Sequence, residues 1–193
     1  MKTDIILAGV GGQGILSIAA TLGAAAVEKG LYLKQAETHG MSQRGGAVVS
    51  HLRIADYPVA SDLIPLGSAD LILSVEPMES LRYLPFLSAK GCLVSNVVVF
   101  ENIPNYPEFT RIEEEIRKLP LSVLLNAEEI AREVGNPRGS NMVMLGAASP
   151  FLHFTDSEIE TGIEIIFGRK GSAVVELNKK AFYAGKAAAV KEK

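Results

Sequence analysis

Ile5-Ile6-Leu7-Ala8-Gly9-Val10-Gly11-Gly12-Gln13-Gly14-Ile15 is the stretch that decides the fold. The apolar run Ile5 to Ala8 has the composition of a strand buried on both faces of a parallel sheet. Gly9 to Gly14 spells G-x-G-x-x-G directly behind it. From Ile15 to Lys29 the chain has no helix breaker except Gly23, and Gly30 stands where a helix ends in a left-handed glycine. Strand, glycine turn and helix in this order open a Rossmann-type βαβ unit. The glycines let the backbone turn tightly and approach a ligand, while the helix N-terminus presents N–H groups to an anion. Gly9, Gly11, Gly12, Gln13 and Gly14 are therefore the candidate cofactor-binding residues. The competing reading is that the glycines only serve close packing of strand on helix. Glu37 lies 23 residues after Gly14, near the place of a ribose-binding acid.

Outward from this unit, strands and helices alternate. Leu31 to Ala36 reads as a second strand ending at Glu37, and Ala47 to Ile54 as a third, with Val49, His51 and Arg53 alternating. Ala69 to Val75 and the β-branched run Leu93 to Val99 are core strands, and Leu121 to Leu125 is a short last one. Pro77 suits the first turn of a helix running to about Leu84, where Pro85 ends it. Ile112, Ile116 and Leu119 share one helix face. Asn126 with Glu129 and Thr155 with Glu158 carry capping-box spacing, so the C-terminal third reads as helical. The expected architecture is α/β: a Rossmann-like, mostly parallel sheet with helices on both faces and a helical C-terminal third, in one domain over residues 1–193.

Composition removes several classes of function. Nineteen Lys and Arg against 22 Asp and Glu give a net charge of −3, which does not suit a nucleic-acid or anionic-membrane binder. The one cysteine, Cys92, excludes an internal disulfide and an iron–sulfur cluster held by four cysteines of this chain. With no signal peptide, it fits a reducing, cytoplasmic location. Ile15 to Val27 is too short and too rich in small residues to span a membrane. His51 and His153 lack a second ligand at metal spacing, so no metal site is expected. There is no nucleophile elbow and no Walker A loop, and no residue is assigned a catalytic role.

A second motif follows the second strand: Glu37-Thr38-His39-Gly40-Met41-Ser42-Gln43-Arg44-Gly45-Gly46. So many donors between glycines are costly to bury, and the carboxyl rim of an open α/β sheet is where ligands bind. Glu37, Thr38, His39, Gly40, Ser42, Gln43, Arg44, Gly45 and Gly46 are the candidate substrate- or partner-facing residues. A solvated hairpin-like loop is the plain alternative.

Together, Gly9 to Gly14 and Glu37 to Gly46 resemble the gamma subunit or domain of the pyruvate/2-oxoacid:ferredoxin oxidoreductases, a group that includes the indolepyruvate oxidoreductase beta subunit. The resemblance continues in Asn141-Met142-Val143-Met144-Leu145-Gly146-Ala147 and in Asn178, Ala181-Phe182 and Gly185. It implies a subunit of an enzyme that oxidatively decarboxylates a 2-oxoacid, with indolepyruvate or another arylpyruvate among the candidates, to acyl-CoA. Thiamine diphosphate, iron–sulfur clusters and coenzyme A would serve the complex, with ferredoxin or flavodoxin as acceptor. The sequence has no thiamine diphosphate motif and no cysteine cluster, so a partner chain is expected to supply both, and a homo-oligomer is possible. Two other readings stand beside this one: a self-sufficient nucleotide-binding oxidoreductase, and a docking scaffold with a vestigial pocket.

Further expectations concern particular residues. Gln13 at the phosphate approach speaks against NAD or FAD. Small and apolar residues such as Ala147, Ala148, Ala187 to Ala189 and Val190 suggest a partner surface in the C-terminal third. Arg44 offers a planar fork of donors for a carboxylate or phosphate outside the chain, with Glu37 as its internal alternative. The first two strands should be neighbours or nearly so, which makes the two motif loops face each other.

Overall fold

The computed structural model describes residues 1–39 and 45–191. The described residues form a six-stranded sheet of β1 (Lys2–Val10), β2 (Tyr32–His39), β3 (Ala47–Ala55), β4 (Ala69–Ser74), β5 (Leu87–Asn96) and β6 (Ser122–Leu125). Its order is β2-β3-β1-β4-β5-β6. The helices are α1 (Ile15–Glu28), α2 (Pro77–Arg82), α3 (Phe109–Arg117), α4 (Ala127–Glu133), α5 (Ser140–Ala148), α6 (Asp156–Phe167) and α7 (Ser172–Lys191). Strands β1, β4, β5 and β6 make a parallel block. The sheet is mixed, because β3 runs antiparallel to both β1 and β2.

The first two strands are next-but-one neighbours: β3 lies between β1 and β2, and the β2–β3 pair is an antiparallel hairpin. The ladder also carries β2 through Glu37 to His39, pairing Glu37 with Ser50 and His39 with Val48. Glu37 is thus in the strand, two strand spacings or about 10 Å from β1, too far across the sheet for a ribose-binding acid beside the glycine turn. Leu93 to Val99 is also displaced: β5 starts at Leu87 and ends at Asn96.

The two-sided burial read from Ile5 to Ala8 follows from the layers. Ile5 and Leu7 join Leu52, Ile54, Leu71, Leu73, Cys92 and Val94 under α1 and α4 to α7. Ile6 and Ala8 join Ile72, Leu93 and Leu124 under α3, with Met78 and Leu81 of α2 packed alongside. α1 has no charged residue before Glu28, and its outer side leaves Leu16 and Val27 exposed. α5 is buried along its whole length except Ser140, as a helix that is apolar all round must be.

The helical C-terminal third is held by close backbone approach. A Cβ on Gly146 of α5 would lie 1.9 Å from the Phe182 carbonyl oxygen of α7, and one on Gly185 would lie 1.9 Å from that of Val143. Ala147, Ala148 and Ala189 are buried in this packing. Those three small residues serve helix–helix contact within the chain, whereas Ala187 and Val190 of the same expected partner surface are exposed.

At the end of the strands opposite the glycine turn, Asp4 is buried and takes a two-pronged hydrogen bond from Arg53 at 2.8 and 3.2 Å. Arg53 also donates to the Ser61 and Leu63 carbonyls. His51 accepts a hydrogen bond at Nδ1 from the Ile64 N–H at 3.1 Å and stacks edge-on against Phe86. Burial holds its pKa below the ordinary value of 6.5, with Arg53 assisting and Asp62 opposing. A neutral imidazole is required to accept that bond, so this stability is fully present above pH 6.5 and is lost as pH falls through the lowered folded pKa. His51→Gln is expected to show a smaller drop in Tm than the parent between about pH 7 and about pH 5, measured by thermal unfolding in matched buffers.

Candidate functional site at the carboxyl rim

The ends of β1 and β2 and the start of β3 share one rim, because β3 runs the opposite way. Gly9 and Val10 close β1, and Gly14, in the left-handed region at φ 83°, caps α1. The two motif loops do meet here, through β3 rather than through adjacency of β1 and β2. The Gly11 N–H donates to the Gly46 carbonyl at 2.9 Å. Gly45 also has φ 83°, and its carbonyl accepts from Asn102 Nδ2 at 2.9 Å. Glu37 is half-buried, with Gln35 Nε2 3.4 Å from Oε2, and Thr38 is exposed. His39 ends β2. Gly40, Ser42, Gln43 and Arg44 lie outside the described residues.

The glycine turn is braced from within. Val10 N–H donates to Gln13 Oε1 at 2.7 Å, and Gln13 N–H donates to the Val10 carbonyl at 3.2 Å. With Gly11 N–H on Gly46, three backbone donors of the turn already have partners within the chain. Gln13 fills the turn itself: a Cβ on Gly9 would lie 3.0 Å from its Oε1 and 2.4 Å from Val75 Cγ2. Asn141 Nδ2 of α5 donates to the Gly14 carbonyl at 3.3 Å, tying the buried helix to the turn. Beside the turn lies a cleft of about 360 Å³ lined by Gly12, Leu16, Ser17 and Val48 among others.

A set of buried polar residues on the same rim was not anticipated. Glu76, fully buried after β4, accepts the Glu79 N–H at 2.9 Å and so caps α2. Its other oxygen accepts the Phe100 N–H at 3.3 Å and the Tyr106 hydroxyl. Burial, then that carboxylate, pushes the Tyr106 pKa far up, so Tyr106 stays a donor. Asn96 at the end of β5 donates to the Val75 carbonyl and to Glu128, and accepts the Ala127 N–H at 3.0 Å. The signal for Glu76 was in the sequence: a carboxylate directly before Pro77 and three residues before Glu79 is an N-cap pattern. Among the described residues, no group of three or more His, Cys, Asp or Glu is placed to hold a metal ion, and no helix is long and apolar enough to cross a membrane.

A mixed α/β sheet whose glycine turn is stitched to a neighbouring loop defines a Rossmann-like domain. The chain belongs to the pyruvate ferredoxin/flavodoxin oxidoreductase family, whose match spans residues 4–188. The indolepyruvate oxidoreductase subunit IorB of Archaeoglobus fulgidus is 38% identical over 192 residues, covering 96% of this chain and 94% of its own length. The gamma subunit of a keto/oxoacid ferredoxin oxidoreductase from Geobacter sulfurreducens superposes with a TM-score of 0.69 at 25% identity, covering 98% of this chain and 99% of its own. A 2-oxoglutarate:ferredoxin oxidoreductase from Magnetococcus marinus has the same fold, with a TM-score of 0.76 at 21% identity. There the match covers 100% of this chain but 32% of that longer one.

Proposed function

We propose that the chain acts as the rim-presenting subunit of a 2-oxoacid:ferredoxin oxidoreductase that oxidises an arylpyruvate such as indolepyruvate. A partner chain brings thiamine diphosphate and iron–sulfur clusters, coenzyme A takes the acyl group, and ferredoxin or flavodoxin takes the electrons. The observation that carries this reading is the internal bracing of the glycine turn. Its donors hold Gly46 and Gln13 in place, which builds a fixed edge for another chain rather than an open phosphate site. The near-full-length identity to an indolepyruvate oxidoreductase subunit supports the substrate class. Residues 1–193 act as one domain, and the lone cysteine suits the cytoplasm.

In this reading Gly9, Gly11, Gly12, Gln13 and Gly14 shape the rim, and Glu37 to Gly46 is the loop that meets the partner or substrate. NAD and FAD are expected to show no binding at micromolar affinity, about −8 kcal/mol, in calorimetric titration of the purified chain. Binding of either at that affinity would restore the self-sufficient oxidoreductase as the better reading.

Arg44 is proposed to reach a carboxylate or phosphate outside the chain. Arg44→Ala is expected to leave the Tm of the isolated chain nearly unchanged, because a rim charge adds little stability. It should lower activity or assembly of the reconstituted complex by on the order of tenfold, since a lost charge-assisted contact costs about 1.5–3 kcal/mol. Full activity of the variant complex would make the residue a bystander.

A further inference from the structure

The loop between β5 and α3 carries no ladder of its own, yet both ends of its middle section are pinned to one buried group. Phe100 N–H and the Tyr106 hydroxyl both donate to Oε1 of Glu76, which is 1% exposed. Glu76 is itself fixed by capping α2 through the Glu79 N–H. Between those two pins, half-buried Asn102 reaches across to the Gly45 carbonyl. Gly45 and Gly46 have no side chains with which to fix themselves, and glycine pairs retain the most backbone freedom. Their two carbonyls are instead held by two other segments, Gly46 by Gly11 and Gly45 by Asn102.

We propose that residues 97–107 form a strap in which Asn102, anchored through Glu76 and Tyr106, is a positioning residue that sets the placement of the Gly45-Gly46 base of the rim loop. The inference rests on the reading of that loop as the partner- or substrate-facing element. Nothing in the core depends on the Asn102 bond: it ends on a rim carbonyl, and its neighbours Phe100 and Ile103 are exposed. Losing it should loosen the rim without unfolding the domain. The donor is what matters, so an isostere lacking N–H should behave as badly as a truncation.

The test uses Asn102→Ala, Asn102→Asp and Tyr106→Phe. Amide exchange of Gly11, whose N–H is held by Gly46, is followed in the isolated chain. Partner-chain affinity, and KM for coenzyme A against kcat with indolepyruvate, are measured in the reconstituted complex. The expected result is Gly11 exchange faster by about tenfold or more in both Asn102 variants, and a smaller increase in Tyr106→Phe. The Tm of the Asn102 variants should stay within about 2 °C of the parent. Affinity or KM should weaken by about tenfold with kcat little changed. Unchanged Gly11 exchange in Asn102→Asp would overturn the strap. A Tm loss of about 10 °C would make Asn102 part of the stabilising framework and overturn the positioning role. Faster exchange with unaltered affinity, KM and kcat would overturn the functional part, and would show that the failure lies in reading the rim as partner-facing rather than in the strap.

Discussion

Gly146→Ala is expected to destabilise the chain by about 3 kcal/mol or more, well beyond an ordinary helix substitution. Alanine is normally the better helix former, by about 1 kcal/mol over glycine, so propensity alone would give the opposite sign. Geometry decides the matter. The added methyl would sit 1.9 Å from the Phe182 carbonyl oxygen and 2.9 Å from Lys186 N, both backbone atoms that no rotamer change can move. α5 and α7 would have to separate, and α5 is buried on nearly all sides. Gly185→Ala meets the Val143 carbonyl at the same distance from the other helix and should cost a similar amount. Because both substitutions open one crossing, the double variant should lose less than the sum. Gly168→Ala has no heavy atom within 4 Å of its added methyl and is the control, expected to be neutral or slightly stabilising. Urea unfolding of the four variants reads all of this. A Gly146→Ala chain as stable as the parent would mean that α5 and α7 do not cross as described.

Arg53→Met is expected to cost about 3 kcal/mol. Asp4 is wholly buried, and removing the guanidinium leaves Lys2, at 2.8 Å, as its remaining ion-pair partner. The Ser61 and Leu63 carbonyls lose a donor in the same step. Breaking one side of a buried pair costs more than the pair contributes, so Asp4→Leu combined with Arg53→Met should recover part of the loss. This pair lies on interior strands, at the end of the sheet opposite the rim. Complexes that do assemble with Arg53→Met should therefore keep the parent's KM and kcat. A variant that retains stability but loses activity would contradict that separation of scaffold from site.

These two sites also mark what the sequence made legible. The strand–glycine–helix opening was readable because one local pattern, an apolar run with glycines at set spacing, has few other uses. The capping signals at Asn126 and Thr155 were readable for the same reason: both side chains accept the N–H three residues on, and Thr155 with Glu158 completes the reciprocal box. Strand order was not readable. The insertion of β3 beside β1 depends on pairings such as Leu7 with Ser50, more than forty residues apart in a chain that carries no local mark of them.

Gly146, Phe182 and Gly185 were noticed through family resemblance alone, with no role attached. Their reciprocal contact gives them one, and it is packing rather than chemistry. The C-terminal small residues divide: Ala147, Ala148 and Ala189 are buried in contacts inside the chain, while Ala187 and Val190 stay exposed, a split that their size alone does not signal. Of the rim, the meeting of the two loops was anticipated, but not that β3 would stand between the two strands. The Glu76, Asn102 and Tyr106 set was missed because its members lie 26 and 30 residues along the chain from Glu76 and meet only in the fold. The middle of the rim loop, Gly40 to Arg44, stays a proposal from residue chemistry.

The most direct measurement is coenzyme A-dependent oxidation of indolepyruvate, with ferredoxin as acceptor, by this chain alone, by a thiamine- and cluster-binding partner chain alone, and by the two together. Acyl-CoA formation and ferredoxin reduction are expected from the mixture, with none from this chain by itself. Full turnover by the partner chain without this one, or oxidation of a 2-oxoacid by this chain alone with NAD, would contradict the assignment.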